Sequence, residues 1–112
     1  MQLEELEGKY KIVGSNQDNS NSNYQGYLTL ILDENKRVIA KWIINGEQLQ
    51  FGSGFFKDDI LVINFNYAGD DDKIHNGIVV YKCTAKNILD GFWSEKHGNP
   101  KFLGTEKCIR IV

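Results

Sequence analysis

Short apolar runs alternate with clusters of turn-forming residues along the whole chain. The runs are rich in Val, Ile, Phe, Tyr and Thr, the residues that favour β-strands. The clusters between them are rich in Asn, Asp, Gly and Lys, and they recur at close intervals. This pattern is typical of an antiparallel meander, in which a short turn joins each strand to the next. Eight strands are predicted, over residues 8–14, 24–32, 37–44, 47–56, 60–67, 76–83, 88–95 and 101–112.

Local signals support this division of the chain. Asn45 and Gly46 separate the third run from the fourth, and this dipeptide favours a tight hairpin turn because both residues accept a positive φ. Only residues 1–7, MQLEELE, have a helical pattern, and it is long enough for one amphipathic turn. Helix is therefore predicted at the N-terminus alone.

Eight consecutive strands either leave two open edges or close on themselves. Closure removes the edges, and an eight-stranded barrel has an interior that side chains fill or that holds one small ligand. A two-sheet sandwich is the alternative, but its Greek-key crossings need a long connection. The only long connection predicted here, residues 15–23, lies between the first two strands. We therefore predict an all-β protein with a single domain over residues 1–112, an eight-stranded antiparallel up-and-down meander barrel.

Glycines interrupt several predicted strands, although glycine weakens a strand. The sequence FGSGFF includes Gly52 and Gly54, and Gly26, Gly91 and Gly104 each stand beside a bulky residue in another strand. A small closed barrel bends its strands sharply, and glycine accepts the bend while a neighbouring large side chain covers it. We interpret these glycines mainly as points of curvature. The alternative is that they make room for a ligand.

Composition and charge narrow the classes of function. Thirteen basic residues stand against 15 acidic ones, for a net charge of -2, without the basic face that nucleic-acid binding requires. No apolar run approaches the roughly 20 residues that span a bilayer, and the N-terminus lacks the pattern of a secretory signal. We expect a soluble protein, either cytoplasmic or a mature secreted or periplasmic form, with no nucleic-acid partner and no membrane span.

Neither the cysteines nor the histidines indicate a metal or cofactor site. Cys83 and Cys108 lack CxxC spacing and lie two predicted strands apart, so we expect buried apolar side chains and no disulfide. His75 and His97 lie in separate predicted loops, and residues 70–72, three aspartates, lack the ligand positions of a calcium loop. No metal and no cofactor is predicted.

The first and last predicted strands carry residues that meet if the barrel closes. The first begins Gly8-Lys9-Tyr10, and the last carries Arg110, one of two arginines in the chain. Antiparallel pairing of these strands brings residue 10 beside residue 110, where the guanidinium can stack on the ring. In these residues the chain resembles the calycin group of barrels, which includes the lipocalins, the avidins and the fatty-acid-binding proteins. Many of them open with Gly-x-Trp and place an arginine of the last strand against that ring, whereas Tyr10 stands here in place of the Trp.

The resemblance implies a lipocalin-like or avidin-like fold and no particular activity, because barrels of this class include carriers, enzymes and inhibitors. The chain also looks similar to small bacterial calycin-like proteins of uncharacterised role. Several predicted strands are apolar on both faces, which indicates that the outer face is partly covered, by the N-terminal segment or by a second copy of the chain. A homodimer is therefore an open expectation.

Large aromatic residues on the predicted strands are candidates for the wall of a cavity. Trp42, Tyr81 and Trp93, together with Phe92, line a cavity for a flat or apolar ligand if their faces point inward. Otherwise they belong to a filled core. Glu106, in LGTEKC, either points inward, where burial raises its pKa and makes it a general acid or base, or lies exposed outside the barrel.

Polar residues add two further candidates. Asn64 and Asn66 alternate along one predicted strand, where they either orient a ligand inside the cavity or mark the point at which that face meets water. The polar segment of residues 15–23, SNQDNSNSN, is long for a hairpin loop. In a calycin-like barrel this loop lies over the open mouth, so it is either a lid or a surface loop.

The sequence is compatible with three functions. The first is a non-catalytic binding barrel for a small, largely apolar ligand, with Trp42, Tyr81 and Trp93 as walls and the two asparagines as anchors. The second is an interaction module or inhibitor that acts through its outer surface. The third is a barrel isomerase or cyclase in which Glu106 moves a proton and Tyr81 assists.

Overall fold

The eight predicted runs form eight β-strands in the computed structural model, which describes residues 1–20 and 22–111. Clusters rich in Asn, Asp and Gly separate the strands because these residues favour chain reversal over extension. The strands are β1 (Gly8–Ser15), β2 (Asn23–Leu32), β3 (Val38–Ile44), β4 (Gln48–Lys57), β5 (Ile60–Ala68), β6 (Ile74–Ala85), β7 (Ile88–Glu95) and β8 (Gly104–Arg110).

Each strand pairs antiparallel with the next one along the chain, and β8 pairs with β1 to close a barrel. The closing pair sets Tyr10 opposite Arg110 and Ile12 opposite Cys108. Across residues 1–20 and 22–111, closure leaves no unpaired sheet edge, which is the advantage of a barrel over an open sheet. It confirms the predicted all-β, eight-stranded antiparallel up-and-down barrel and excludes the sandwich. Among the described residues, no helix has the length and apolar character needed to cross a membrane.

The turn between β3 and β4 has the predicted hairpin geometry. Asn45 has φ 53° and Gly46 has φ 77°, so both central residues lie in the left-handed region. The backbone N–H of Glu47 donates to the carbonyl of Ile44 at 3.1 Å and closes the turn. This prediction is confirmed, and its physical basis is local: few residues other than Asn and Gly accept these angles at low cost.

The last strand begins later than predicted. Residues 101–103 belong to the connection between β7 and β8, because Asn99 organises a turn there. Its side-chain oxygen accepts the backbone N–H of Lys101 at 3.0 Å, and its carbonyl accepts that of Phe102 at 3.0 Å. The prediction of one long connection is therefore wrong, since residues 96–103 form a second. Val112, placed in the last strand by the sequence, lies outside the described residues.

Inward-facing side chains fill the half of the barrel nearest the N-terminus. Buried and exposed residues alternate along β1 and β8, as expected when a strand turns one face to the interior. Each large apolar side chain buried there contributes about 1.5–3 kcal/mol. The core of this half consists of side chains that are at most 1% exposed: Tyr10, Ile12, Leu28, Leu30, Val38, Ala40, Leu61, Ile63, Leu89 and Cys108.

A short 3₁₀ helix, Leu3–Leu6, closes this end of the barrel, where the sequence predicts one helical turn. Leu6 is fully buried, and its carbonyl accepts the hydroxyl of Tyr10 at 2.7 Å. The guanidinium of Arg110 lies over the ring of Tyr10, 4.8 Å from its centroid, and donates to the carbonyl of Glu7 at 2.6 Å. The predicted contact between residues 10 and 110 is confirmed. Tyrosine adds to it a hydroxyl that accepts from Arg110 at 2.7 Å.

The mid-strand glycines stand where neighbouring strands or rings approach closely. A Cβ at Gly54 would collide with the carbonyl of Val62, and one at Gly26 would collide with that of Ile43. Both obstacles are backbone atoms of the adjacent strand, which supports the interpretation that these glycines allow the barrel to curve. Other glycines face aromatic rings, and these rings belong to the site described below.

The two cysteines lie on the strands either side of β7. Cys83 and Cys108 are free thiols, and both pair with Leu89 from opposite sides, so one strand separates them.

On the outside, a row of apolar residues crosses four adjacent strands. This outer row consists of Phe55, Val62, Val80 and Phe92.

Candidate functional site

The half of the barrel away from the N-terminal helix contains a cavity of about 210 Å³. It opens at the end of the barrel where β2, β4, β6 and β8 begin. Its walls are formed by inward-facing residues near that rim. Carboxylates and amides interrupt an otherwise aromatic lining, among them Glu95, Glu106, Gln48 and Gln50. The aromatic part consists of six side chains: Tyr24, Trp42, Phe65, Tyr67, Tyr81 and Trp93.

Four of these rings stand directly opposite a glycine on the neighbouring strand. The missing side chain leaves the space that the ring occupies, since a Cβ at Gly91 would lie 2.6 Å from the ring of Tyr81. Rings that cover cross-strand glycines also pin the register of a barrel. The pairs are Tyr24 with Gly14, Phe65 with Gly77, Tyr81 with Gly91, and Trp93 with Gly104.

The rings contact one another in tilted and edge-to-face geometry. Phe65 is at the centre, 6.2 Å from Trp42 and 6.1 Å from Trp93 between centroids, with interplanar angles of 69° and 86°. Such pairs add about 0.5–1.5 kcal/mol beyond the area that they bury. The walls of the cavity are therefore supported by mutual packing of the rings.

Glu106 lies at the inner end of the cavity and is only 6% exposed. One carboxylate oxygen, Oε1, accepts the hydroxyl of Tyr24 at 2.7 Å. The other, Oε2, accepts the hydroxyl of Tyr81 and the indole N–H of Trp42, the latter at 3.3 Å. The thiol of Cys108 lies 3.8 Å from the same oxygen. Four neutral donors from four strands therefore surround one carboxylate.

Two tryptophans orient the two tyrosines that bind Glu106. The indole N–H of Trp93 donates to the hydroxyl oxygen of Tyr24 at 2.9 Å, and that of Trp42 donates to the hydroxyl oxygen of Tyr81 at 3.2 Å. Each tyrosine thus accepts from a tryptophan and donates to the carboxylate. Chains of this kind polarise their members and restrict the rotation of each hydroxyl.

Burial dominates the electrostatics of this group. It raises the pKa of Glu106, and the hydrogen bonds from Tyr81 and Tyr24 oppose the rise without cancelling it. Burial, followed by the nearby Glu106 charge, also raises the pKa of Tyr24 and of Tyr81, so both phenols remain protonated donors. Within residues 1–20 and 22–111, no lysine, arginine or histidine forms an ion pair with Glu106.

A second carboxylate stands at the rim. Glu95, the last residue of β7, accepts the hydroxyl of Tyr67 at 2.9 Å through Oε1. His75 stacks on the ring of Tyr67 at 5.1 Å, and its Nδ1 lies 3.7 Å from the same carboxylate oxygen. Burial, followed by the hydrogen bond to Glu95, raises the pKa of Tyr67. Glu95 and Glu106 therefore mark the outer and inner ends of one aromatic cavity.

The polar segment of residues 15–23 begins at this rim. Asn16 lines the cavity, and Gln17 is held against β7: its amide nitrogen donates to the hydroxyl of Ser94 at 2.9 Å, and its oxygen accepts the N–H of Glu95 at 2.9 Å. The first part of the segment is thus anchored beside the mouth. Its predicted role as a lid stays a prediction, and Asn21 within it lies outside the described residues.

The structure brings some of the predicted site residues together and separates others. Trp42, Tyr81, Trp93 and Glu106 share the cavity, with Glu106 in the buried position that the sequence left open.

Asn64 and Asn66 are exposed on the outer face, so their placement inside the cavity is corrected. Phe92 also points outward and is 49% exposed. The two asparagines point outward because side chains alternate between the two faces of a strand, and Phe65 and Tyr67 occupy the inward positions of β5.

Sequence reasoning missed Tyr24, Phe65, Tyr67 and Glu95 as cavity residues. A signal was present in β5, where the residues of one face are Leu, Ile, Phe and Tyr, whereas those of the other face end in two asparagines. A uniformly apolar parity normally faces the core. Glycines that recur among strand aromatics were a second signal, since they indicate where rings need space.

Comparison with known proteins shows the fold. No protein-family model matches the chain, and no curated protein matches its sequence. A redesigned β-barrel, b11L5F_LGL, is similar with a TM-score of 0.79 at 13% identity, over 98% of this chain and 95% of that one. A redesigned barrel, mFAP1, bound to DFHBI, has a TM-score of 0.74 at 15% identity, over 96% and 97% of the two chains.

A natural protein is similar as well. It is a protein of unknown function from the DUF3598 family of Nostoc punctiforme, with a TM-score of 0.56 at 13% identity. The match covers 99% of this chain and 49% of that one, so the present chain spans about half of its length. At these identities the similarities define a class of structure: small closed barrels of eight antiparallel strands.

Proposed function

We propose that this protein is a binding barrel for a small ligand held in the cavity at its open end. The observation that carries the proposal is the cavity itself, about 210 Å³ in volume, with six aromatic side chains in its lining. Apolar walls with a few well-placed polar groups are typical of small-molecule sites. Redesigned barrels of the same fold that are bound to DFHBI support the proposal, because they contain a small molecule.

The size and lining of the cavity restrict the ligand. Sites for drug-sized ligands enclose about 300–1,000 Å³, so a cavity of about 210 Å³ fits a smaller molecule. The rings of Trp42, Phe65 and Trp93 favour a flat or compact apolar body. Gln48, Gln50 and Glu106 replace the two asparagines as polar groups that orient it.

Native mass spectrometry of gently purified protein tests the proposal. We expect a bound mass of no more than a few hundred daltons, the range of small ligands. A Val79→Phe variant places a ring in the cavity and should lose this mass, whereas Val80→Phe on the outer face should retain it. Circular dichroism checks that both variants fold. A clean apo mass, together with no hit in a ligand-observed NMR screen of small aromatic compounds, would contradict the proposal.

A second candidate is an isomerase or cyclase on the same barrel. The observation that favours it is a buried glutamate with a raised pKa, hydrogen-bonded to Tyr81 and in contact with the cavity. If Glu106 moves a proton, a bound ligand should exchange carbon-bound hydrogen with D2O, and Glu106→Gln should abolish the exchange. A ligand whose hydrogens remain unchanged supports binding without catalysis.

The outer row favours a third candidate, self-association through the barrel surface. Phe55 and Phe92 are 61% and 49% exposed at its two ends, and Val62 and Val80 connect them. Contiguous exposed apolar surface often marks a protein interface. Sedimentation velocity should detect a dimer that Phe55→Ser and Phe92→Ser dissociate, and a monomer at all concentrations would contradict it.

A further inference from the structure

Glu106 is a buried carboxylate without a cation to balance it. Its four hydrogen-bond donors, Tyr24, Trp42, Tyr81 and Cys108, are all neutral groups. Hydrogen bonds stabilise a buried charge in part, but buried charges are normally paired with an opposite charge. Among the described residues, no basic side chain forms that pair. When Glu106 is ionised, a ligand in the cavity is the remaining source of a positive charge.

Glu106 also retains capacity to accept a further donor. Oε2 accepts from Tyr81 and Trp42, with the thiol of Cys108 nearby, whereas within the described part of the chain Oε1 accepts only from Tyr24. A carboxylate offers about four lone-pair positions, two on each oxygen. Since Glu106 lines the cavity, the free position on Oε1 is available to a donor on a bound molecule.

The rest of the lining favours the same sign of charge. Of the described residues that line the cavity, the charged ones are Glu95 and Glu106, and none is a lysine, arginine or histidine. Indole and phenyl faces carry negative electrostatic potential and attract cations, with tryptophan the strongest. Trp42 and Trp93 both contribute to these walls. An anionic ligand would meet two carboxylates, and of the described basic side chains His75 lies 3.7 Å from Glu95 at the rim while none pairs with Glu106.

The loops around the opening extend this asymmetry. Residues 16–22, 45–47, 69–73 and 96–103 carry five carboxylates against three lysines, counted over the described positions. Clefts lined by one sign of charge concentrate ligands of the opposite sign. The excess of carboxylates at the mouth and Glu106 at the inner end therefore both attract a positively charged ligand.

We propose that the ligand of this barrel is a small organic cation, a protonated amine that places its N–H on Glu106 Oε1 and its apolar body among the aromatic walls. This inference rests on the proposed function, because it assigns the chemical class of the molecule held in that cavity. Glu106 is the anchor of the amine, and Glu95 at the rim attracts it without contacting its charged end.

A neutral molecule with a hydroxyl donor is the competing occupant, because it could donate to the same oxygen. Three probes of similar size separate the possibilities: 2-phenylethylamine, 2-phenylethanol and phenylacetate. Each is titrated into the complete protein at about pH 8.5, because burial raises the pKa of Glu106 and a higher pH therefore favours its ionised form. Backbone amide shifts in two-dimensional NMR report binding and show whether it occurs at the cavity.

In the wild-type protein we expect the amine to bind at least about 30-fold more tightly than the alcohol, as a buried charge pair predicts. Phenylacetate should not bind. Glu106→Gln should reduce amine affinity to that of the alcohol, whereas Glu95→Gln, which removes the same charge at the half-buried rim, should reduce it less than about fivefold. Circular dichroism confirms that the variants fold, and the wild-type comparison of the three probes needs no variant.

Equal affinity for the amine and the alcohol, or preference for phenylacetate, would overturn the cation assignment while the barrel remained a binding protein. Amine binding that survives Glu106→Gln unchanged would overturn the role of Glu106. Binding of none of the three probes would also overturn the cation assignment, and native mass spectrometry would then decide separately whether the barrel carries a ligand.

Discussion

Glu106 shows how one residue acquires chemical character from its neighbours. In the chain it follows Gly104 and Thr105 and precedes a lysine, and this local sequence leaves open whether it points inward or lies exposed. In the barrel it contacts side chains from β2, β3 and β6, and these contacts exclude water from it. Its burial and its raised pKa are therefore consequences of closure.

The pH dependence of stability provides the first test at this scale. A carboxyl whose pKa is higher in the folded than in the unfolded protein contributes stability at low pH and loses it as the pH rises. Between the ordinary glutamate value of 4.5 and the raised pKa of Glu106, the free energy of unfolding of the ligand-free protein should fall with increasing pH. The slope should reach at most about 1.4 kcal/mol per pH unit for this one proton.

Urea denaturation at a series of pH values measures this slope. Glu106→Gln should remove the component, because a glutamine cannot ionise. The matched control is Glu34→Gln, which removes an exposed carboxylate from the turn between β2 and β3 and should keep the wild-type slope. A Glu106→Gln protein with the full wild-type pH dependence would show that another group titrates.

Arg110 provides a second test, and the other arginine of the chain, Arg37, provides its control. Arg110 donates to the carbonyls of Glu5 and Glu7 and to the hydroxyl of Tyr10. A lysine cannot reproduce this fork of hydrogen bonds, so we expect Arg110→Lys to lower the free energy of unfolding by about 1–3 kcal/mol. Denaturation by guanidinium chloride measures the loss.

The control is Arg37→Lys. The Arg37 side chain is 65% exposed and its guanidinium pairs with Asp33 at 3.0 Å, so its replacement should change the stability by less than about 1 kcal/mol. Similar losses from the two substitutions would contradict the view that Arg110 closes the end of the barrel through specific hydrogen bonds.

At the scale of elements, cross-strand pairs of a glycine and an aromatic ring organise the open half of the barrel. Each pair joins adjacent strands, as Tyr81 and Gly91 join β6 and β7. The ring fills the space above the glycine and thereby covers the strand where it bends. The same arrangement turns the rings towards the interior, so the curvature of the barrel and the lining of its cavity have one structural cause.

A double-mutant cycle at Gly104 and Trp93 tests this arrangement. A Cβ at Gly104 would collide with the indole of Trp93, so Gly104→Ala should cost about 1–3 kcal/mol and alter the near-ultraviolet circular dichroism of the tryptophan. In a Trp93→Phe background the smaller ring should relieve most of that loss. If the loss were equal in both backgrounds, the strain would lie in the backbone and the pair would not be coupled.

The whole molecule divides into a filled half and an open half. The filled half is closed by the 3₁₀ helix and holds the apolar core, whereas the open half is lined by aromatic and polar side chains. Stability and binding should therefore be separable by mutation. Barrels of this size combine the two because eight strands leave an interior just wide enough for a core or for one small ligand.

Leu6 tests this separation. It is fully buried at the closed end, so Leu6→Ala should lower the free energy of unfolding by about 2–5 kcal/mol. Leu3, partly buried in the same helix, is the control and should cost less when replaced by alanine. Affinity for a cavity probe, titrated under conditions where both variants remain folded, should be unchanged. Loss of probe affinity in Leu6→Ala would show that the two halves are coupled.

The number of strands, their order and the hairpin at Asn45 and Gly46 are readable from the sequence alone. Alternation of apolar residues and the chemistry of turns act over a few neighbouring positions, so the chain displays them directly. The contact between Tyr10 and Arg110 also follows, because closure of a meander leaves its first and last strands no other partner. The start of β8 was not predicted correctly from the sequence, since the side chain of Asn99 extends the preceding turn.

The site required the tertiary structure. The sequence leaves Asn64 and Asn66 either inside the cavity or on a face that meets water, and the structure shows that they lie outside. Hydrogen bonds to Glu106 join it to Tyr24, 82 positions away, and to Tyr81, 25 positions away. Such contacts depend on strand register and closure, which arise from packing of the whole barrel and leave no local trace in the chain.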